Sequence, residues 1–163
     1  MGYPFDPHVA RFTFPESCSA ADVDPASVRN WLRAEPGAVL IGKGDRVAVG
    51  SGRPILLSFS TIVQIGLTAR LVREGLPPRR ASVVAAGFAH VGDDERPPGH
   101  LFDTPFTVLA KFEGEEIGRV LHMPGDAKMR SLFFPSEGPA RSSITTALVV
   151  DFTVAHARKV LDV

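Results

Sequence analysis

In the stretch DVDPASVRNWLR, residues 22–33, the side chains most capable of chemistry are Arg29, Asn30 and Arg33. At 100° per residue these three share one arc of a helix with Ala26, while Val28, Trp31 and Leu32 fall together on the opposite arc. Arginine bonds guanine edges with two parallel N–H groups, asparagine does the same for adenine, and either can hold phosphate. The chemistry expected of this arc is therefore recognition of a polyanion.

Other reactive residue types lack the spacing that catalysis or metal binding needs. His8, His90, His100, His122, His156 and Asp103 show no paired motif such as H-E-x-x-H. Cys18 is the single cysteine, so it has no partner for an internal disulfide and cannot build a cysteine zinc site. The glycines of GKGD (42–45) and GSGRP (50–54) match neither a P-loop nor a dinucleotide fingerprint and read as turns. Ser17, Ser19, Ser142 and Ser143 lack the G-x-S-x-G setting of a nucleophile elbow. The expectation is a protein without catalytic residues, cofactor or metal.

Charge is distributed unevenly although it sums to zero over 163 residues. Residues 27–80 carry nine Lys or Arg against three acids, a net of +6, while residues 91–163 carry eight against eleven, a net of −3. A basic working surface beside an acidic remainder follows from that asymmetry. With 44 % hydrophobic residues the chain can bury a core. No apolar run approaches the roughly 18 residues of a membrane span, and no leader-like segment opens the sequence, so the expected location is the cytoplasm without membrane contact.

Several elements must hold the arginine-bearing arc in place. An irregular arm with a short strand at RFTF (11–14) precedes a helix expected from Pro15 to Ala21, with Glu16 at its positive end. Asp24 and Pro25 then start the second helix, and EPG (35–37) stops it. Val39–Ile41 and Arg46–Val49 flank Gly42, Lys43, Gly44 and Asp45, which reads as a hairpin over 39–49 with a basic tip. Ile62, Ile65, Ala69, Val72 and Leu76 form one helical row and Val63, Leu67 and Leu71 a second, behind a cap at Ser58 or Ser60. Gly75, Pro77 and Pro78 separate that helix from the next, where Arg79 and Arg80 read as solvated residues. GDDERPPGH (92–100) reads as a polar connection. Beyond it FTVLAKF, IGRVLHM, KMRSLFF and ITTALVV alternate as strands of an antiparallel sheet, and Asp151 is expected to cap a final helix.

Two short helices, a hairpin and two further helices give the order of a winged helix-turn-helix. The pieces VDPASVR (23–29), the hairpin (39–49) and LVREGLPPRRASVV (71–84) resemble the MerR-type winged helix family over about residues 12–90. That resemblance implies that Arg29, Asn30 and Arg33 face DNA, that Lys43 and Arg46 belong to the wing, and that the carboxy-terminal part dimerises or senses an effector. The sequence departs from the family in placing NWL after the recognition arginine and in having a β-rich segment where a long coiled-coil helix belongs.

The sequence thus predicts an α+β protein: a winged helix-turn-helix over 1–92 and a β-rich dimerisation or sensing unit over 93–163. Its expected partner is double-stranded DNA, bound as a homodimer through Ser27, Arg29, Asn30, Arg33, Lys43, Arg46 and Arg53, in transcription regulation. A fragment ending at residue 92 is expected to keep some DNA affinity. The competing reading is a non-catalytic interaction or assembly adaptor that reuses the same scaffold.

Overall fold

The structure, a computed structural model, describes residues 3–33, 38–39, 41–47, 54–103, 106–123 and 144–163. Among these residues the chain is an α+β protein with five helices and two small antiparallel sheets. Strand β1 (Phe12–Thr13) runs directly into helix α1 (Phe14–Ala21). This helix begins one residue earlier than Pro15, because Thr13 is the residue that caps it. The Glu16 carboxylate accepts the Thr13 N–H and hydroxyl at 2.7 Å each, and those bonds hold its pKa below the usual carboxylate range.

Helix α1 ends on Asp22, whose φ of 55° lies in the left-handed region that aspartate tolerates better than most residues. The Val23 N–H then returns to the Cys18 carbonyl at 3.1 Å, which turns the chain toward helix α2 (Pro25–Arg33). Strand β2 (Leu56–Leu57) pairs with β1 and leads into α3 (Phe59–Arg73). Of the two serines proposed as its cap, Ser58 is the one used: its hydroxyl accepts the Thr61 N–H. Both apolar rows of α3 are covered, and Phe59 through Ala69 is buried without a break. Gly75 supplies the left-handed turn, φ 97°, to α4 (Pro78–Ala89).

The second sheet has β3 (Phe106–Phe112) at its centre, between β4 (Arg119–Met123) and β5 (Ile144–Val149), all antiparallel. The strand expected at 128–134 and the turns on either side of it lie outside the described residues, as does the helix stop at 35–37. Helix α5 (Asp151–Leu161) closes the chain. Its cap corrects the sequence reading: Val150 holds that position, and the Asp151 carboxylate instead accepts the Thr107 N–H at 2.7 Å. A carboxylate one step inside the helix can reach the neighbouring central strand, and that bond fixes α5 against β3.

One hydrophobic cluster joins the two ends of the chain. It includes Phe14 and Ala21 of α1, Val28 of α2, Ile62 and Ile65 of α3, Leu109 of β3, Leu148 of β5, and Val154 and Ala157 of α5. Closeness here depends on Gly66, where a Cβ would stand 2.9 Å from Thr153 Cγ2 and 3.2 Å from the Ala21 carbonyl oxygen. The 92–100 connection is also anchored. Arg96 is 2 % exposed, and its guanidinium donates to the carbonyls of Phe88, Val91, Pro97 and His100 at 2.6–3.3 Å. Nearby, Tyr3 donates to the Gly99 carbonyl at 2.8 Å, binding the amino-terminal arm to the same loop. Burial pushes the Tyr3 phenol up, and it pushes the His100 imidazole tilted against it down.

Candidate nucleic-acid interface

Helix α2 is short, so its position depends on its ends and on one buried anchor. The Asp24 carboxylate accepts the N–H groups of Ala26 and Ser27 at 3.0 and 2.9 Å. With the Ser27 hydroxyl also donating, the Asp24 pKa is held below its ordinary value. Val28 is completely buried, and Trp31 and Leu32 pack partly against the same core. Arg29, Asn30 and Arg33 are exposed, with Ala26 beside them and Ser27 half-buried at the margin. The helical arc read from sequence therefore separates burial from exposure as expected.

Neighbouring elements fix this face further. The Arg29 guanidinium carbon lies 5.0 Å from the centre of the Phe14 ring, a cation–π geometry that ties α2 to α1. Arg73, at the end of α3, donates to the Asp22 carbonyl at 3.2 Å and pairs loosely with its carboxylate at 3.7 Å. That link is exposed and worth little energetically, but it connects the turn between α1 and α2 to the central helix. Cys18, buried behind this turn, has its thiol pushed up by burial, which keeps it protonated and unreactive.

The hairpin differs in register from the sequence reading. Arg46 exchanges both backbone hydrogen bonds with Leu56, at 2.8 and 2.9 Å, so its antiparallel partner lies after the second glycine cluster and not in Val39–Ile41. The GKGD stretch makes a separate turn ahead of that pairing, with the Asp45 N–H bonded to the Gly42 carbonyl at 3.0 Å. Lys43 therefore sits in this turn, exposed, and Arg46 at the root of the hairpin, also exposed. Arg53, together with 48–52, lies outside the described residues. Local turn residues were legible, but four glycines so near one another, Gly42, Gly44, Gly50 and Gly52, left the partner of Arg46 open, and the Leu56 pairing decides it.

Asp45 joins these pieces and was missed as more than a turn residue. One carboxylate oxygen accepts the Ser58 N–H at 2.6 Å, and the other accepts the Gly42 N–H at 2.7 Å and the Thr61 hydroxyl. It thereby clamps the GKGD turn onto the start of α3, one residue before Arg46. A signal was present: Asp45 is the sole acid between Glu35 and Glu74, in an otherwise basic stretch.

The geometry brings exposed Arg29, Asn30 and Arg33 together on α2 and sets Lys43 and Arg46 on a clamped turn and hairpin root. Among the described residues, no group of three or more His, Cys, Asp or Glu side chains is placed to hold a metal ion, and no helix is long and apolar enough to cross a membrane. No known protein family matches the sequence, and no curated protein matches it at a significant level.

Proposed function

We propose that this chain binds duplex DNA through a MerR-like winged helix-turn-helix in its first half, as a cytoplasmic, non-catalytic homodimer that regulates transcription. The observation that carries the proposal is the division of α2: Val28 is buried while Arg29, Asn30 and Arg33 are exposed on the other side. A helix so divided offers the major groove a guanidinium–amide–guanidinium face, with the hairpin root at Arg46 available to the adjacent backbone. The basic excess over residues 27–80 supports the same reading, since phosphate neutralisation supplies most non-specific affinity. The homodimer follows from reach: one short helix reads only a few base pairs, and a two-fold pair doubles the site.

The test is fluorescence anisotropy on a labelled random-sequence duplex over a salt series, for the full chain and for Arg29→Ala with Arg33→Ala. Each phosphate contact contributes about 0.9 to the slope of log affinity against log salt, so loss of two reduces the steepness by about 2. Base contacts add a sequence-dependent loss of about 1–3 kcal/mol each on a specific site. An unchanged slope and affinity in a variant that melts like the parent would overturn the assignment. Weak, salt-insensitive binding by the parent itself would favour the adaptor reading instead.

A further inference from the structure

Away from α2 and the hairpin, a cleft of about 520 Å³ opens between the first turns of α4 and the β3–β4 turn. Arg79, Arg80 and Val83 line one side, and Lys111, Gly114 and Glu116 line the other. We propose that this cleft is a second anion site, which takes a ligand carrying a phosphate or phosphoanhydride group.

Charge arrangement carries the inference. Arg79, Arg80 and Lys111 come from two elements far apart in sequence, yet fold around one cavity. Among the described residues, no carboxylate lies within ion-pair distance of any of them. Of the two acids at the cleft, Glu115 is engaged by the Arg119 guanidinium, and Glu116 alone remains to oppose three cations. Lys111 commits one ammonium proton to the Phe112 carbonyl at 3.2 Å and has two left to donate. What the lining side chains present is charge: two planar forks and an ammonium, the donors that suit the several oxygens of a phosphate. Its volume falls in the range of small-molecule sites.

The chemistry has two sources, a free phosphoanhydride or the backbone of nucleic acid, and one experiment separates them. Inorganic pyrophosphate is titrated calorimetrically into the full chain, into Arg79→Gln with Arg80→Gln, and into Lys111→Met. The double variant changes exposed residues, so it folds, and its melting temperature checks that. The expected result is saturable pyrophosphate binding by the parent that weakens about tenfold or more in the double variant and also falls in Lys111→Met. A parallel duplex-DNA salt series identifies a nucleic-acid source: there the double variant loses slope by about 2. Arg29→Ala with Arg33→Ala keeps pyrophosphate binding, so failure of the groove assignment leaves this site intact. Two outcomes overturn the proposal. One is absence of pyrophosphate binding at millimolar concentration together with an unchanged DNA slope. The other is an equal loss when the remote, exposed Arg11 is changed to Gln.

Discussion

The Arg29 guanidinium is already held over the Phe14 ring, so under the DNA-binding role proposed above less rotamer freedom would remain to be lost on binding. Asp24 does comparable work on the backbone, by pulling the first N–H groups of α2 into register before any partner arrives. Its carboxylate is held below the ordinary value of 3.8 chiefly by the Ser27 hydroxyl and N–H. A depressed folded-state pKa fixes the sign: the contribution is complete above 3.8, and it fades as pH falls through the lower value of the folded chain. Asparagine caps about as well as aspartate but carries no titrating charge. Asp24→Asn should therefore keep α2 helical through the acid range, while the parent frays and Asp24→Ala is frayed at every pH. Carbon chemical shifts of residues 25–33 across the titration measure this, and parallel acid profiles for the parent and Asp24→Asn would sink it.

Asp45 acts between elements, because its carboxylate ties the GKGD turn to the first turn of α3 while Arg46 beside it pairs with Leu56. Removing it strands the Gly42 and Ser58 N–H groups, and the expected cost for Asp45→Ala is about 2–3 kcal/mol in urea unfolding. A positioning role demands more than lost stability: amide exchange at Arg46 and Leu56 should quicken more than exchange in the middle of α3. Uniform quickening would make Asp45 merely structural. The helices were legible in the sequence because their signals are local: Asp24, Ser58 and Gly75 each satisfy or release a backbone group within a few residues. The exposed arc of α2 was legible for the same reason, since helical rotation needs no knowledge of the rest of the chain. Partners that depend on distant residues were not legible. The Arg46–Leu56 pairing, the Asp151–Thr107 bond and the meeting of Lys111 with Arg79 and Arg80 all arise from closure of the fold. The burial of Arg96 within the polar 92–100 connection likewise depends on four carbonyls that converge on it only in the fold.

Across the whole molecule, the core makes the two halves of the sequence dependent on each other. Helix α5 covers α1 and α3 with Val154 and Ala157, and Gly66 lets them approach so closely that a methyl group there would press on Thr153 and the Ala21 carbonyl. A second tight approach joins α4 to the β3–β4 segment, where a Cβ on Gly87 would stand within bonding distance of the Gly118 carbonyl oxygen. A chain ending at residue 92 would leave the α1 and α3 surfaces under α5, and the α4 surface under the sheet, open to water. We therefore expect that fragment to retain helical circular dichroism but lose its sharp melting transition and bind a hydrophobic dye, the behaviour of a collapsed chain without fixed packing. Under the proposed function, DNA affinity should fall with its order, in contrast to the autonomy that the polar 92–100 stretch suggests. In the full chain, helical signal and Trp31 fluorescence should melt at one midpoint. Gly66→Ala should lower that single midpoint through overpacking of about 1–3 kcal/mol, and should not split it in two. A fragment that melts sharply and binds DNA as tightly as the full chain would show that α1 to α4 hold together without the carboxy-terminal half.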